Sequence, residues 1–60
     1  MPVIKIDMWK GRTDEQKAEI IRGITAVFEK IGVPKESITI IINEVDKANW
    51  GMKGSQASKQ

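Results

Sequence analysis

The stretch Ile38-Thr39-Ile40-Ile41-Ile42-Asn43-Glu44-Val45 constrains this chain more than any other. It is rich in β-branched residues, which fit a pleated surface, and it reads as a strand. With a period of two, Ile38, Ile40 and Ile42 face one side, and Thr39, Ile41, Asn43 and Val45 face the other. Both sides are partly apolar, so both need cover. The chain offers one helix for that purpose, and an amphipathic helix covers one face. The second face calls for another subunit.

Length sharpens this expectation. At 60 residues the chain is a single domain, 1–60. A domain of that size buries only about 60% of the surface its unfolded chain exposes. Such scaffolds are usually stapled by disulfides, a metal or association. The sequence has no cysteine and no histidine. Disulfides, thiol nucleophiles, an imidazole base and the common structural zinc sites are thereby excluded. Oligomerisation is the staple that remains.

Ten basic and eight acidic residues give a net charge of +2, interspersed and without a basic stripe. That pattern does not favour nucleic acid as a partner. No apolar run approaches the roughly eighteen residues that a membrane span requires. Lys5 and Asp7 interrupt any apolar leader at the N-terminus, so the expected location is the cytoplasm.

Residues 3–9 alternate as a first strand: Ile4, Ile6 and Met8 on one side, Val3, Lys5, Asp7 and Trp9 on the other. Lys10-Gly11-Arg12 breaks the pattern at a glycine. Thr13 with Gln16 three residues later forms a capping box, and Asp14 and Glu15 suit the positive end of a helix dipole. Ile20, Ile21, Ile24, Val27, Phe28 and Ile31 recur at helical spacing as one broad stripe. Gly32 followed by Pro34 ends the helix near Ile31. Two strands flanking such a helix predict an α+β fold built on a β-α-β unit, with parallel strands and a right-handed crossover. Gly51 and Gly54 around Trp50 and Met52 predict a short C-terminal hairpin, and residues 55–60 a polar tail.

Four places invite a chemical reading. The chain opens Met1-Pro2, and methionine before so small a residue is normally removed. The product is a free prolyl amine at the head of a strand. An α-amine has a reference pKa of about 7.7–8.0, a prolyl amine is intrinsically more basic, and desolvation or a nearby cation moves it towards neutrality. Such an amine is a good general base. The same dipeptide also opens many chains that make no use of the amine. Arg12, at the strand-to-helix connection, either holds a carboxylate in a fork of hydrogen bonds or is a solvated loop arginine. Trp50 either walls a dry pocket or fills an oligomer interface. Glu44 and Asp46, two apart, share one face and either hold a hard cation or form a solvated edge. No phosphate-cradling loop and no serine-nucleophile motif is present.

Taken together, Pro2-Val3-Ile4, Gly11-Arg12-Thr13-Asp14-Glu15-Gln16-Lys17, Ile40-Ile41-Ile42-Asn43-Glu44 and Asn49-Trp50-Gly51 resemble the 4-oxalocrotonate tautomerase family. The resemblance runs from the N-terminus to Gly54. It implies a β-α-β protomer that assembles as a hexamer, a trimer of dimers, and works without a cofactor or metal. It implies that Pro2, freed of methionine, is the general base that moves a proton from the 2-hydroxyl of a dienol to a distant carbon. It implies that Arg12, from a neighbouring subunit, binds a substrate carboxylate and draws electron density from the reacting end. Trp50 stands where the family has a phenylalanine that keeps the pocket apolar. Thr39 stands where the best-known members carry a second arginine, for the carboxylate and keto end of the substrate. A threonine hydroxyl donates a single hydrogen bond, so 2-hydroxymuconate itself is less well matched. Lys5 and Lys53 are the nearest substitutes by charge. Two other functions remain compatible with these residues: a non-catalytic oligomeric binding or scaffold protein of the same fold, and a sibling dehalogenase or hydratase chemistry on the same proline.

Overall fold

A computed structural model of the chain describes residues 2–60. Met1, and with it the expected loss of the initiator methionine, lies outside the described residues. Strand β1 (Val3–Trp9) leads through Gly11 into helix α1 (Asp14–Lys30), and β2 (Thr39–Val45) returns beside β1. The two strands are parallel, with Val3 opposite Thr39, Ile4 opposite Ile40, Ile6 opposite Ile42, Met8 opposite Glu44 and Trp9 opposite Val45. The β-α-β unit read from the alternation and the helical stripe is the architecture found.

Local chemistry explains the turns. Gly11 has φ +122°, a backbone conformation that a side chain would strain. Thr13 caps the helix reciprocally: its hydroxyl accepts from the Gln16 N–H at 3.1 Å, and Gln16 Oε1 accepts from the Thr13 N–H at 2.9 Å. At the other end Gly32, at φ +94°, allows a paired closure. The Gly32 N–H donates to the Glu29 carbonyl at 3.0 Å and the Val33 N–H to the Phe28 carbonyl at 3.1 Å. Two orphan carbonyls of the last turn are satisfied this way.

Two boundaries differ from the sequence reading. Ile38, expected to open the second strand, instead closes a 3₁₀ turn over Lys35–Ser37, with its N–H donating to the Lys35 carbonyl at 3.2 Å. The ladder starts at Thr39, whose N–H donates to the Pro2 carbonyl at 3.0 Å. Ser55 and Gln56, expected to open a polar tail, form β4 (Ser55–Gln56), antiparallel to β3 (Gly51–Met52). The two residues between them, Lys53 and Gly54, both have positive φ, at 55° and 82°. That is the geometry of a tight hairpin whose twist matches its strands. Beyond it, Ala57 folds back and donates its N–H to the Trp50 carbonyl at 2.7 Å.

The helix lies on the even-numbered face of the sheet. Ile4, Ile6, Met8, Ile40 and Ile42 are half-buried there, as are Ile20, Ile24 and Phe28 of the helix. The opposite face is bare, with Val3 49% and Ile41 40% exposed. On the helix flank, Val27 is 61% and Ile31 73% exposed. Among the described residues Ala57 alone is buried. The protomer measures 42 × 23 × 14 Å, and its radius of gyration is 14.4 Å. A compact chain of this length would have a radius of about 10 Å. Among the described residues no helix is long and apolar enough to cross a membrane.

Candidate active site

The residues singled out above fall into two groups at opposite ends of the sheet. Pro2 and Thr39 share one end. Pro2 immediately precedes β1 and is half-buried, with its carbonyl fixed by the Thr39 N–H. Thr39 is exposed, and its register partner Val3 lies beside it. Arg12 and Trp50 lie beyond the other end. From Val3 to Trp9 the strand spans about 20 Å, at about 3.3 Å per residue.

The far end is crowded. The rings of Trp9 and Trp50 meet edge to face, with centroids 5.8 Å apart and planes at 75°. This arrangement matches the preference of aromatic quadrupoles. Lys47 Nζ lies 4.6 Å from the centroid of Trp9, on its face, in a cation–π contact. The indole N–H of Trp9 is buried without an acceptor among the described residues. Trp9 is thus locked between a cation and a second indole, and Trp50 is held in turn by its carbonyl's bond from Ala57. Sequence reading placed both indoles without linking them. The link joins residues 41 positions apart and leaves no local pattern.

Charges at this end are paired among themselves. Lys10 Nζ is 3.3 Å from Asp46 Oδ1. Lys17 Nζ donates to Glu44 Oε1 at 3.0 Å and lies 3.6 Å from Asp14 Oδ1. The hydrogen bond to Glu44 is the main reason the Lys17 ammonium is held above its ordinary value; partial desolvation opposes it, and the charges of Glu44 and Asp14 add to it. Glu44 and Asp46 therefore act as partners of lysines, the solvated-edge alternative. Among the described residues no cluster of three or more metal-ligating side chains exists. Arg12 contrasts with these groups. It is exposed, and among the described residues it makes no ion pair or side-chain hydrogen bond. Gly11, at φ +122°, turns the chain between Lys10, which is paired with Asp46, and Arg12.

Among the described residues one protomer encloses no cavity. The small β-α-β protomer has Pro2 at one end of the sheet, Arg12 beyond the other, and apolar surfaces left uncovered. Residues 2–60 match the family model described as tautomerase enzyme. The chain is 38% identical over 60 residues to a 2-hydroxymuconate tautomerase of Comamonas testosteroni, covering 98% of this chain and 95% of the relative. It is 44% identical over 55 residues to a probable tautomerase of Ralstonia nicotianae, covering 90% and 79%. Its fold superposes with a TM-score of 0.89 on a heterohexameric 4-oxalocrotonate tautomerase from Chloroflexus aurantiacus, at 33% identity and covering 98% and 97% of the two chains. The chain belongs to the tautomerase family, and its enzyme class is isomerase.

Proposed function

We propose that the protein interconverts the enol and keto forms of small unsaturated 2-hydroxy acids, with the nitrogen of Pro2 as the general base. The observation that carries this reading is the position of Pro2. It stands at the head of β1, anchored through its carbonyl to Thr39, in a chain 38% identical to a 2-hydroxymuconate tautomerase. Once Met1 is removed, the neutral ring nitrogen takes the proton of the 2-hydroxyl. The O–H electron pair becomes the second bond of the C2 carbonyl, the C2=C3 pair moves to C3=C4, and the C4=C5 pair takes the proton back from the protonated proline as the new C5–H bond.

Arg12 and Trp50 enter the site from a neighbouring copy in this reading. The guanidinium binds the carboxylate and stabilises the electron density that develops in the transition state. Trp50, already fixed against Trp9, narrows the pocket and excludes water. The uncovered Val3, Ile41, Val27 and Ile31 support assembly as a homo-oligomer, and a hexamer is the size we propose.

Intact mass and a pH–rate profile test the base together. Protein that begins at Pro2 is expected to turn over dienol acids, with a rate that rises with pH as the amine loses its proton. Protein that retains Met1 has an acylated nitrogen without a basic lone pair and is expected to be inactive. Full activity in the Met1-retaining form would remove Pro2 from the mechanism.

A further inference from the structure

Lys47 is unlike the other lysines at its end of the sheet. Lys10 and Lys17 are paired with carboxylates. Lys47 adjoins Asp46 in the chain, yet Asp46 is taken by Lys10, and among the described residues Lys47 makes no ion pair. Its ammonium lies 4.6 Å from the centroid of the Trp9 ring instead. The Trp9 indole N–H has no acceptor among the described residues, so no side-chain hydrogen bond fixes that ring there. Lys47 on its face and the edge-to-face contact with Trp50 hold it. Lys47 also reaches Trp50 by a second route. It opens a 3₁₀ turn over Lys47–Asn49, and its carbonyl accepts from the Trp50 N–H at 3.2 Å. Gln56 braces the same turn, donating its amide to the Ala48 carbonyl at 2.8 Å. One residue thus holds both the backbone of Trp50 and the ring against which its indole packs. Trp50 stays half-buried, which leaves part of the indole to face a ligand.

We infer, on the reading of Trp50 as a pocket wall, that Lys47 is a positioning residue for the proposed reaction: it fixes the Trp9 ring, and Trp9 fixes the angle at which the Trp50 indole closes the site. Lys47 acts through the two indoles and not by offering its charge to the substrate, because that charge is already committed to an aromatic face.

The test uses assembled, Met1-free protein and a carboxylated dienol. The sequence holds two tryptophans and no tyrosine, so the exciton signal of coupled indoles in circular dichroism reports the arrangement of Trp9 and Trp50. Lys47→Met keeps an unbranched aliphatic stem and removes the charge. It is expected to weaken that signal and to lower kcat by about two- to fivefold, the scale of one exposed cation–π contact, with KM little changed and sedimentation unaltered. Lys47→Arg keeps a cation over the ring and is expected to retain both signal and rate. In a Trp50→Ala or a Trp9→Leu background, Lys47→Met is expected to add no further loss, because the line of contacts is already broken. An unchanged signal and rate in Lys47→Met overturn the inference. So does the same fold loss in both backgrounds, which would mean that Lys47 acts by its charge alone; the tautomerase chemistry stands in either case. Full activity in Trp50→Ala removes the pocket wall from the proposed function, and the role of Lys47 with it. Absence of dienol turnover by the wild type overturns the chemistry and the inference together.

Discussion

The two ends of the parallel sheet are built on different principles. At the Pro2 end the chain offers a ring nitrogen, a threonine hydroxyl and exposed aliphatic side chains, fixed by one backbone hydrogen bond. At the Trp9 end it offers two interlocked indoles, paired lysines and carboxylates, and one unpaired guanidinium. A strand of about 20 Å separates them. The first end is suited to moving a proton in an apolar setting, the second to binding an anion. A single protomer holds them too far apart to act on one small molecule. In the proposed mechanism the sheet serves as a spacer, and association of copies closes the distance.

The largest effect is expected from removing the association. Ile41 lies on the bare face of the sheet, and in the proposed assembly Ile41→Asp would bring a charge into the surface between copies. Because the protomer buries only Ala57 among its described residues, dissociation should also cost the fold. Sedimentation and circular dichroism at micromolar concentration are expected to show loss of both oligomer and helix. A compact, folded and active monomer would break the comparison at its root.

Arg12→Ala comes next. If the guanidinium acts in the transition state, kcat falls along with a rise in KM, and kcat/KM drops by roughly ten- to a hundredfold, the equivalent of about 1.5–3 kcal/mol. Steady-state kinetics on a carboxylated dienol reads this out. A change in KM alone would restrict Arg12 to ground-state binding.

Gly11→Ala separates the position of Arg12 from its charge. At φ +122° the new side chain is strained although the space around it is open. The cost is about 1–2 kcal/mol, seen as a lowered Tm. A smaller fall in kcat/KM than in Arg12→Ala is expected, because the guanidinium is displaced and not lost.

The smallest effect belongs to Lys17. Its ammonium is held above the ordinary lysine value of 10.5, chiefly by Glu44. A raised pKa in the folded state favours folding while the group is protonated in both states. That contribution is fully present below the unfolded value and is lost as pH rises through the folded one. Lys17→Met should therefore be slightly less stable than wild type from neutral pH to about 9, and the gap should close in strongly alkaline solution. Denaturant melts across that range check it; a gap that widens with alkali would reverse the sign.

Much of this fold was legible in the sequence because its signals are local. The Thr13–Gln16 cap, the Gly11 turn, the Gly32 closure and the alternation of Val3 to Trp9 each involve neighbours in the chain. Ile38 was misplaced for the same reason: its β-branched side chain suits a strand, but Pro34 and Ser37 shape a 3₁₀ turn that claims its N–H. The second half of the hairpin was missed because Ser55 and Gln56 are polar and weak strand formers. Their place is set by Lys53 and Gly54 at positive φ, by Ala57 against Trp50, and by the Gln56 amide donating to the Ala48 carbonyl at 2.8 Å. For the candidate site, the individual residues were readable and their arrangement was not. No pattern in the sequence announces that Trp50 packs against Trp9, or that Lys17 ties the helix to Glu44.

Subunit complementation tests the divided site most directly. Pro2→Ala supplies an intact Arg12 end, and Arg12→Ala supplies an intact Pro2 end. Each variant alone should be impaired. Unfolding them together and refolding them as mixed oligomers is expected to regenerate some sites with both groups intact, and kcat/KM should rise well above that of either parent. If base and guanidinium instead serve the same site from one protomer, no mixed assembly contains an intact site. Activity equal to the average of the two parents would contradict the account.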